Sequence, residues 1–305
     1  MVIYFDRELG GQLCASGDAS GTTLTVLSDF GGSHAGQLFE TYSFLVMCLE
    51  DNLDWLARQR AFREFVLRSN RRIAYKSLSD KVRRAVMPAF LGMGSEIRGS
   101  LITFAISRDR PSVFQAEQGL ECERLLVPWR KKHIRERLLR VLHLGAFLLS
   151  GLSLPNHNVL WITDEDDIVS NVEQLTTLTS LLGLIATNSL SHNLGHLRCA
   201  TAKSDDGSRS IEDALAYADL AAGSVTELMT AMQGNHRKLQ KQIVSPSPQS
   251  VSWKARGIGQ WLADSSGALK RHICVMDFNR NAPGGRVLML RLHAYGMPSS
   301  VISRI

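Results

Sequence analysis

Three aspartates have sequence surroundings that suggest chemistry. Asp29 ends a segment, 22–29, that alternates β-branched or apolar residues with small polar ones, and Asp164 directly follows the apolar segment 159–163. Carboxylates at the C-terminal ends of strands lie where open α/β sheets place their ligands. Asp219 stands among Ala and Leu residues, where an ionised carboxylate is costly to bury unless a metal ion or another cation compensates it. Because Mg²⁺ and Mn²⁺ prefer converging carboxylate oxygens, these aspartates are candidate metal ligands.

A structural role for the same aspartates also remains open. Acids at strand ends often cap turns or the helices that follow. The residue types alone therefore leave two interpretations, a metal site and a set of capping carboxylates.

The elements that would position these residues alternate between strands and helices. Alternating or short apolar segments predict strands at 22–29, 39–49, 100–107, 159–163 and 196–202. Helical spacing predicts helices at 53–69, 130–149 and 211–232, and another after 167. Only a short loop separates the first two strands, which favours an antiparallel hairpin. The sequence predicts an α/β protein.

Finer features of these elements can also be predicted. Ser77 or Ser79 is a plausible N-cap of a further helix, which Pro88 would kink or end. Three tryptophans are spaced as core anchors. They are Trp55, Trp129 and Trp161.

The chain is predicted to divide late in the sequence. Residues 1–243 form the expected core domain, 244–252 are a Pro/Ser linker, and 253–305 are a small C-terminal appendage. The appendage has two strand-like segments, 271–278 and 286–293. Such strands could pair with the sheet edge of another chain, so the appendage is a candidate for oligomerisation or for docking a protein partner.

Four segments together resemble a known family over residues 22–232. Residues 218–223, ADLAAG, are similar to an Ala-Asp-Leu-Ile-Ala-Gly stretch of the family known as domain of unknown function 3800, which belongs to the ribonuclease H-like superfamily. Residues 162–165, ITDE, resemble its inner acidic strand, and 75–79, YKSLS, resemble its lysine-containing segment. Residues 28–32, SDFGG, resemble its first motif, Asp-Glu-Ser-Gly, but have Phe30 and Gly31 in place of Glu and Ser.

The first motif has an alternative register. Residues 18–21, DASG, keep the pattern Asp-x-Ser-Gly and would make Asp18 the first carboxylate. Asp29 is favoured because residues 24–27 form the better strand, and the strand 39–49 follows at hairpin distance.

The resemblance implies a ribonuclease H-like mixed central sheet flanked by helices, and a nuclease that depends on Mg²⁺ or Mn²⁺. Asp29, Asp164 and Asp219 would be its metal ligands and catalytic carboxylates, with Glu165 or Asp166 as an alternative ligand. In such sites one ion activates water and another stabilises the leaving oxygen of the phosphodiester. The alternative is a catalytically inactive module that binds nucleic acid or a protein partner, in a bacterial defence or mobile-element system; the altered first motif would explain such a loss.

The distribution of charge points to a polyanionic partner. The net charge is +6, and 17 of the 35 Lys and Arg residues fall within 58–84 and 124–140. A nucleic-acid backbone would use such a surface, although a solvated helix face is the alternative. Lys76, in the segment that resembles the family's, would contact a phosphate or be solvated. The candidate nucleic-acid-binding residues are Arg71, Arg72, Lys76, Arg130, Lys131 and Lys132.

Several other functions are disfavoured. The five cysteines are far apart and form no Cys-x-x-Cys pair, so a disulfide framework and a zinc ribbon do not fit, and a reducing cytoplasm is expected. The apolar segments are too short for a membrane span, so no membrane role is expected. His192 and His196 could bind zinc from one helix face, but Gly195 interrupts them and a structural role is favoured. Residues 31–36 lack the ending of a phosphate-binding P-loop.

Overall fold

The computed structural model describes residues 22–67, 71–109, 122–232, 250–278, 285–290 and 292 of the 305-residue chain. The strands are β1 (Thr23–Gly31), β2 (Phe39–Cys48), β3 (Gly99–Ser107), β4 (Asn158–Thr163), β5 (Leu197–Thr201), β6 (Lys270–Phe278) and β7 (Gly285–Leu290). The helices are α1 (Leu53–Val66), α2 (Lys81–Gly94), α3 (Cys122–Leu125), α4 (Lys132–Leu152), α5 (Val172–Ser189), α6 (Ser210–Met232) and α7 (Trp253–Ala263). Short 3-10 turns occur at Glu50–Asn52, Tyr75–Ser77 and Ala202–Ser204.

All seven strands form one mixed sheet in the order β5-β4-β1-β2-β3-β6-β7. Neighbouring strands are antiparallel in β1–β2, β2–β3 and β6–β7, and parallel in β1–β4, β4–β5 and β3–β6. The α/β class and a mixed sheet flanked by helices are therefore confirmed. The predicted antiparallel hairpin of the first two strands is confirmed as well.

Strand alternation divides the apolar residues between two cores. Leu24 and Val26 of β1 face α4 and α5, whereas Leu27 faces the layer that contains α1, α2, α6 and α7. The predicted tryptophan anchors are confirmed, because each of the three is at most 2% exposed. The sheet is thus covered by helices on both faces.

The start of α2 differs from its prediction. Asp80, and neither Ser77 nor Ser79, is the N-cap, because its carboxylate accepts hydrogen bonds from the amides of Val82 and Arg83 at 3.1 Å each. Pro88 does not end the helix. It lies on an exposed side of α2, where water can solvate the carbonyl that loses its helical partner.

The described C-terminal residues join the central sheet. The sequence set 253–305 apart behind a linker, whereas β6 pairs in parallel with β3 and lies between β3 and β7. Helix α7 packs against α6, where the buried Ser224 hydroxyl donates to the Ala255 carbonyl at 3.0 Å. The predicted role of this segment in oligomerisation stays a prediction.

Three remaining expectations concern cysteines, histidines and membranes. Cys199 and Cys274 are free, but Cys48 is disulfide-bonded, a pairing that the cysteine spacing does not predict. His192 lies in the connection between α5 and β5 and not on a helix, with its Nε2 2.9 Å from the Ser153 hydroxyl. Among the described helices, none has both the length and the apolar character needed to cross a bilayer.

Candidate functional site

Two of the predicted aspartates lie at neighbouring parallel strands, Asp29 within β1 and Asp164 directly after β4. In the pairing of β1 with β4, Ser28 stands opposite Thr163. Asp29 and Asp164 are the next residues along, so their backbones are side by side. Alternation along the strands directs both side chains to the face covered by α6. The prediction placed Asp29 at the end of its strand, but β1 continues for two more residues to Gly31.

Helix α6 brings the third aspartate to the same place. One Asp219 oxygen, Oδ2, accepts a hydrogen bond from the Tyr75 backbone amide at 2.6 Å. The helix approaches β1 and β2 closely, because a Cβ atom at Gly31 would lie only 2.8 Å from the Thr41 hydroxyl and 3.1 Å from the Thr226 hydroxyl. Gly31, a departure from the family motif, thus permits the helix that carries Asp219 to pack here.

The other departure from the motif lies on the opposite face of the sheet. The Phe30 ring packs against Tyr42 and Phe44, with centroid separations of 5.8 and 6.4 Å, and the Arg137 guanidinium lies 5.4 Å from its centroid. Its side chain therefore points away from the aspartates. The Phe30 side chain therefore makes no direct contribution to the cluster of Asp29, Asp164 and Asp219.

Arg72 is a cation in direct contact with the cluster. It binds Asp164 in a bidentate pair, with Nη1–Oδ1 at 3.1 Å and Nη2–Oδ2 at 2.7 Å. The two side chains are 32% and 31% exposed. Burial works against the charged guanidinium, but hydrogen bonding to Asp164 and the charges of the three aspartates raise the pKa of Arg72. The planar fork of arginine matches a carboxylate in this way.

Burial and the charges of the neighbouring carboxylates disfavour the ionised forms of Asp29 and Asp219. Burial, followed by the charges of Asp219 and Asp164, raises the pKa of Asp29 well above its ordinary value. Burial also raises the pKa of Asp219, although the Tyr75 amide and the Arg72 charge oppose that shift. Such perturbation of buried carboxylates by their neighbours is typical of functional sites. A divalent cation would relieve it.

The donor set suits Mg²⁺ or Mn²⁺ in kind. Asp29 Oδ1 accepts from the Phe30 amide, and Asp219 Oδ2 from the Tyr75 amide, at 2.6 Å each. The other oxygen of each carboxylate, Asp29 Oδ2 and Asp219 Oδ1, has no hydrogen-bond partner among the described residues. Arg72, however, occupies both oxygens of Asp164. As they stand, the described residues contain no group of three or more His, Cys, Asp or Glu side chains arranged to hold a metal ion. The carboxylates thus fit such an ion chemically, but Asp164 is engaged by a guanidinium.

The alternative ligands are occupied elsewhere. Glu165 pairs with the Lys203 ammonium at 2.5 Å. Asp166 pairs with Arg137 at 3.2 Å and accepts from the Ile168 amide at 2.8 Å. Neither acid joins the cluster of three aspartates. Asp18, the alternative first carboxylate, lies outside the described residues.

One predicted basic segment borders the aspartates directly. Lys76 is exposed, and its charge is among those felt by Asp219. Arg71, by contrast, pairs with Asp80 at 2.8 Å on the surface of the protein. Of these three basic residues, Arg72 and Lys76 therefore adjoin the carboxylates, whereas Arg71 is engaged with the N-cap of α2.

The second basic segment lies at the same edge of the sheet. Helix α4 leads back to the start of β4, so the beginning of α4 lies near the end of β4, where Asp164 follows. The Trp129 indole donates to the Ile168 carbonyl at 2.7 Å, which ties this region to the loop after β4. Three exposed cations occur here, Arg130, Lys131 and Lys132. Both basic segments thus flank the edge that carries the aspartates.

The residues that hold the segment of Arg72 and Tyr75 in place were not predicted from the sequence. The buried Asp213 accepts from Arg63, and an Arg63 Nη1 donates to the Arg71 carbonyl at 3.4 Å, next to Arg72. The Lys254 ammonium lies 4.0 Å from the Tyr75 ring centroid and donates to the Tyr75 carbonyl at 3.2 Å. These contacts join residues far apart in sequence, and no local pattern announces them.

Comparison with protein-family models and curated proteins identified no relative of the chain. No protein-family model matches the chain, and no curated protein matches its sequence at a significant level. The resemblance to the domain of unknown function 3800 family therefore stays a prediction that rests on the four motifs.

Proposed function

We propose that this protein is a Mg²⁺- or Mn²⁺-dependent nuclease with a ribonuclease H-like core. The observation that carries the proposal is the meeting of Asp29, Asp164 and Asp219, which come from two neighbouring strands and one helix, at one edge of the sheet. The raised pKa values of Asp29 and Asp219 support it, because a buried group of carboxylates favours a bound cation. The order β3-β2-β1-β4-β5 within the sheet is compatible with that fold.

The chain's own residues would divide the work. Asp29, Asp164 and Asp219 would hold the ion, and the Tyr75 amide would keep the Asp219 carboxylate in position. A bound divalent ion supplies charge that activates water and stabilises the leaving oxygen of a phosphodiester. The exposed Lys76, beside Asp219, would bind a phosphate oxygen of the substrate.

Cleavage of labelled nucleic acids tests this proposal. Single-stranded DNA, duplex DNA and RNA would be incubated with the full chain in Mg²⁺ and, separately, in Mn²⁺. We expect cleavage of at least one substrate, and its loss in the Asp29→Asn/Asp219→Asn double variant. Glu165→Gln is the matched control, because this neighbouring acid pairs with Lys203 outside the cluster. Cleavage that survives the double variant would place the activity elsewhere or in a contaminant.

A second candidate is a catalytically inactive module that binds nucleic acid. The pairing of Arg72 with Asp164 favours it, because a guanidinium already neutralises one of the three carboxylates. The expected signature is binding that weakens steeply with salt, without cleavage in either metal. Wild-type protein and the double variant would then bind with similar affinity.

A further inference from the structure

The contact between Arg72 and Asp164 limits what else Asp164 can bind. The guanidinium fork uses Nη1 and Nη2 on the two carboxylate oxygens, and the Glu165 amide donates to Oδ1 at 3.0 Å. A metal ion and Arg72 would therefore compete for the same oxygens. Arg72 supplies one positive charge against three carboxylates, so the cluster keeps an excess of two negative charges when all are ionised.

The backbone of Arg72 is held by contacts that do not involve its guanidinium. The Arg83 Nε donates to the Arg72 carbonyl at 2.7 Å, and the next residue, Ile73, is completely buried. The guanidinium, in contrast, is about one-third exposed, and its buried Nε has no hydrogen-bond partner within the described part of the chain. Rotation of the side chain could thus release Asp164 without movement of the main chain.

We propose that Arg72 is an exchangeable internal cation, which occupies Asp164 in the metal-free protein and is displaced when a divalent ion binds. The inference rests on the proposed function, since it assumes that the three aspartates hold the ion. It makes Arg72 a positioning residue that sets the metal affinity of the site. The guanidinium keeps Asp164 neutralised and oriented until the ion arrives.

Metal affinity, and not cleavage, provides the test. Mn²⁺ would be titrated calorimetrically into the full wild-type chain and into Arg72→Gln, Arg72→Lys and Arg71→Gln. Removal of the competing charge-assisted pair should tighten Mn²⁺ binding about tenfold or more in Arg72→Gln. Arg72→Lys keeps the charge without the fork and should fall between the two. Arg71→Gln loses the same charge one residue away, from a cation that pairs with Asp80, and should bind as the wild type does.

Two outcomes distinguish failure of the Arg72 exchange from failure of the proposed metal-dependent function. Equal Mn²⁺ affinity in the wild type and both Arg72 variants, with binding abolished by Asp29→Asn/Asp219→Asn, would overturn the exchange and leave the metal site intact. Failure of every protein, Arg72→Gln included, to bind Mn²⁺ would overturn the metal-dependent function itself. If Arg72→Gln does not fold, Arg72→Lys still distinguishes the outcomes, because a single ammonium cannot reproduce the bidentate contact.

Discussion

Asp29 should destabilise the metal-free protein at neutral pH. Its folded-state pKa is raised, mainly by burial, so the ionised form is costly in the native state. The stability linked to this group is therefore fully present below the unfolded pKa of about 4 and is lost as the pH rises through the folded pKa. Asp29→Asn should raise the free energy of unfolding at pH 7.5 by roughly 1–3 kcal/mol, and by much less near pH 4.5. Urea unfolding in EDTA at the two pH values measures this.

Asp164→Asn is the informative contrast within the same cluster. Asp164 neutralises Arg72, so its loss leaves a half-buried guanidinium without its partner. We expect a loss of about 1–2 kcal/mol at pH 7.5, reduced from the cost of a fully buried pair because both side chains are partly exposed. Equal effects of the two substitutions would contradict the assignment of Arg72 to Asp164.

The residues of the site differ in how far sequence could predict them. Asp29 and Asp164 were recognisable because each follows a strand-like pattern, and Asp219 because its neighbours are apolar. The Arg72 contact was not, since 92 residues separate the partners and Arg72 lies between helices without a periodic pattern. Local patterns locate acids near strand ends, but they do not specify which cation reaches them.

At the scale of elements, α4 packs closely against β4 on the face of the sheet opposite to α6, and this contact can be tested. A Cβ atom added at Gly145 would lie 2.1 Å from Cη2 of Trp161, whose indole donates to the Ser28 hydroxyl at 2.8 Å beside Asp29. Gly145→Ala should therefore lower the free energy of unfolding by about 1–3 kcal/mol through overpacking.

Gly151→Ala in the same helix is the control. Apart from its chain neighbours and the backbone of α4 itself, no heavy atom of the described residues lies within 4 Å of the added Cβ, so the better helix propensity of Ala should stabilise the protein by up to about 1 kcal/mol. Chemical denaturation of the two variants measures both effects. A similar change in both would show that helix propensity, and not the contact with Trp161, dominates at Gly145.

Sequence predicted the elements better than their ends. The strand at 100–107 corresponds closely to β3, since its pattern is long and apolar, whereas the helix at 53–69 ends earlier, at Val66. The N-cap of α2 was predicted at Ser77 or Ser79 but is Asp80, and residue type alone does not separate them because Ser and Asp are both favoured at this position. Which of them accepts the first helical amides depends on the path of the preceding turn, and this path follows tertiary contacts such as that of Tyr75 with Asp219.

At the scale of the whole molecule, the C-terminal strands show where sequence patterns stop being informative. The Pro/Ser composition of 244–252 predicts a linker, most of which lies outside the described residues, but it does not specify what the following chain packs against. β6 pairs with β3, from which it is separated by more than half of the chain. Such non-local pairing follows from the unpaired edge of β3 and the apolar face of α6, which both need to be covered.

The same architecture predicts how nucleic acid should bind. The cations Arg130, Lys131 and Lys132 lie at the sheet edge that carries the aspartates. If they contact phosphates, converting all three to Gln should make the slope of log affinity against log salt less negative by roughly 2 to 3, at about 0.9 per contact. This measurement needs only binding of duplex DNA in EDTA at several salt concentrations, so it is independent of cleavage.

A control at the other end of the strands distinguishes an effect of the position of the cations from an effect of the net charge. Arg98, Arg198 and Lys270 are exposed and lie at or near the starting ends of β3, β5 and β6, all of which run parallel to β1. Their conversion to Gln removes the same charge but should leave the salt slope nearly unchanged, because only phosphate contacts release counterions at the interface. Equal changes in both triple variants would mean that nucleic acid responds to the overall charge of +6 and not to the edge that holds the carboxylates.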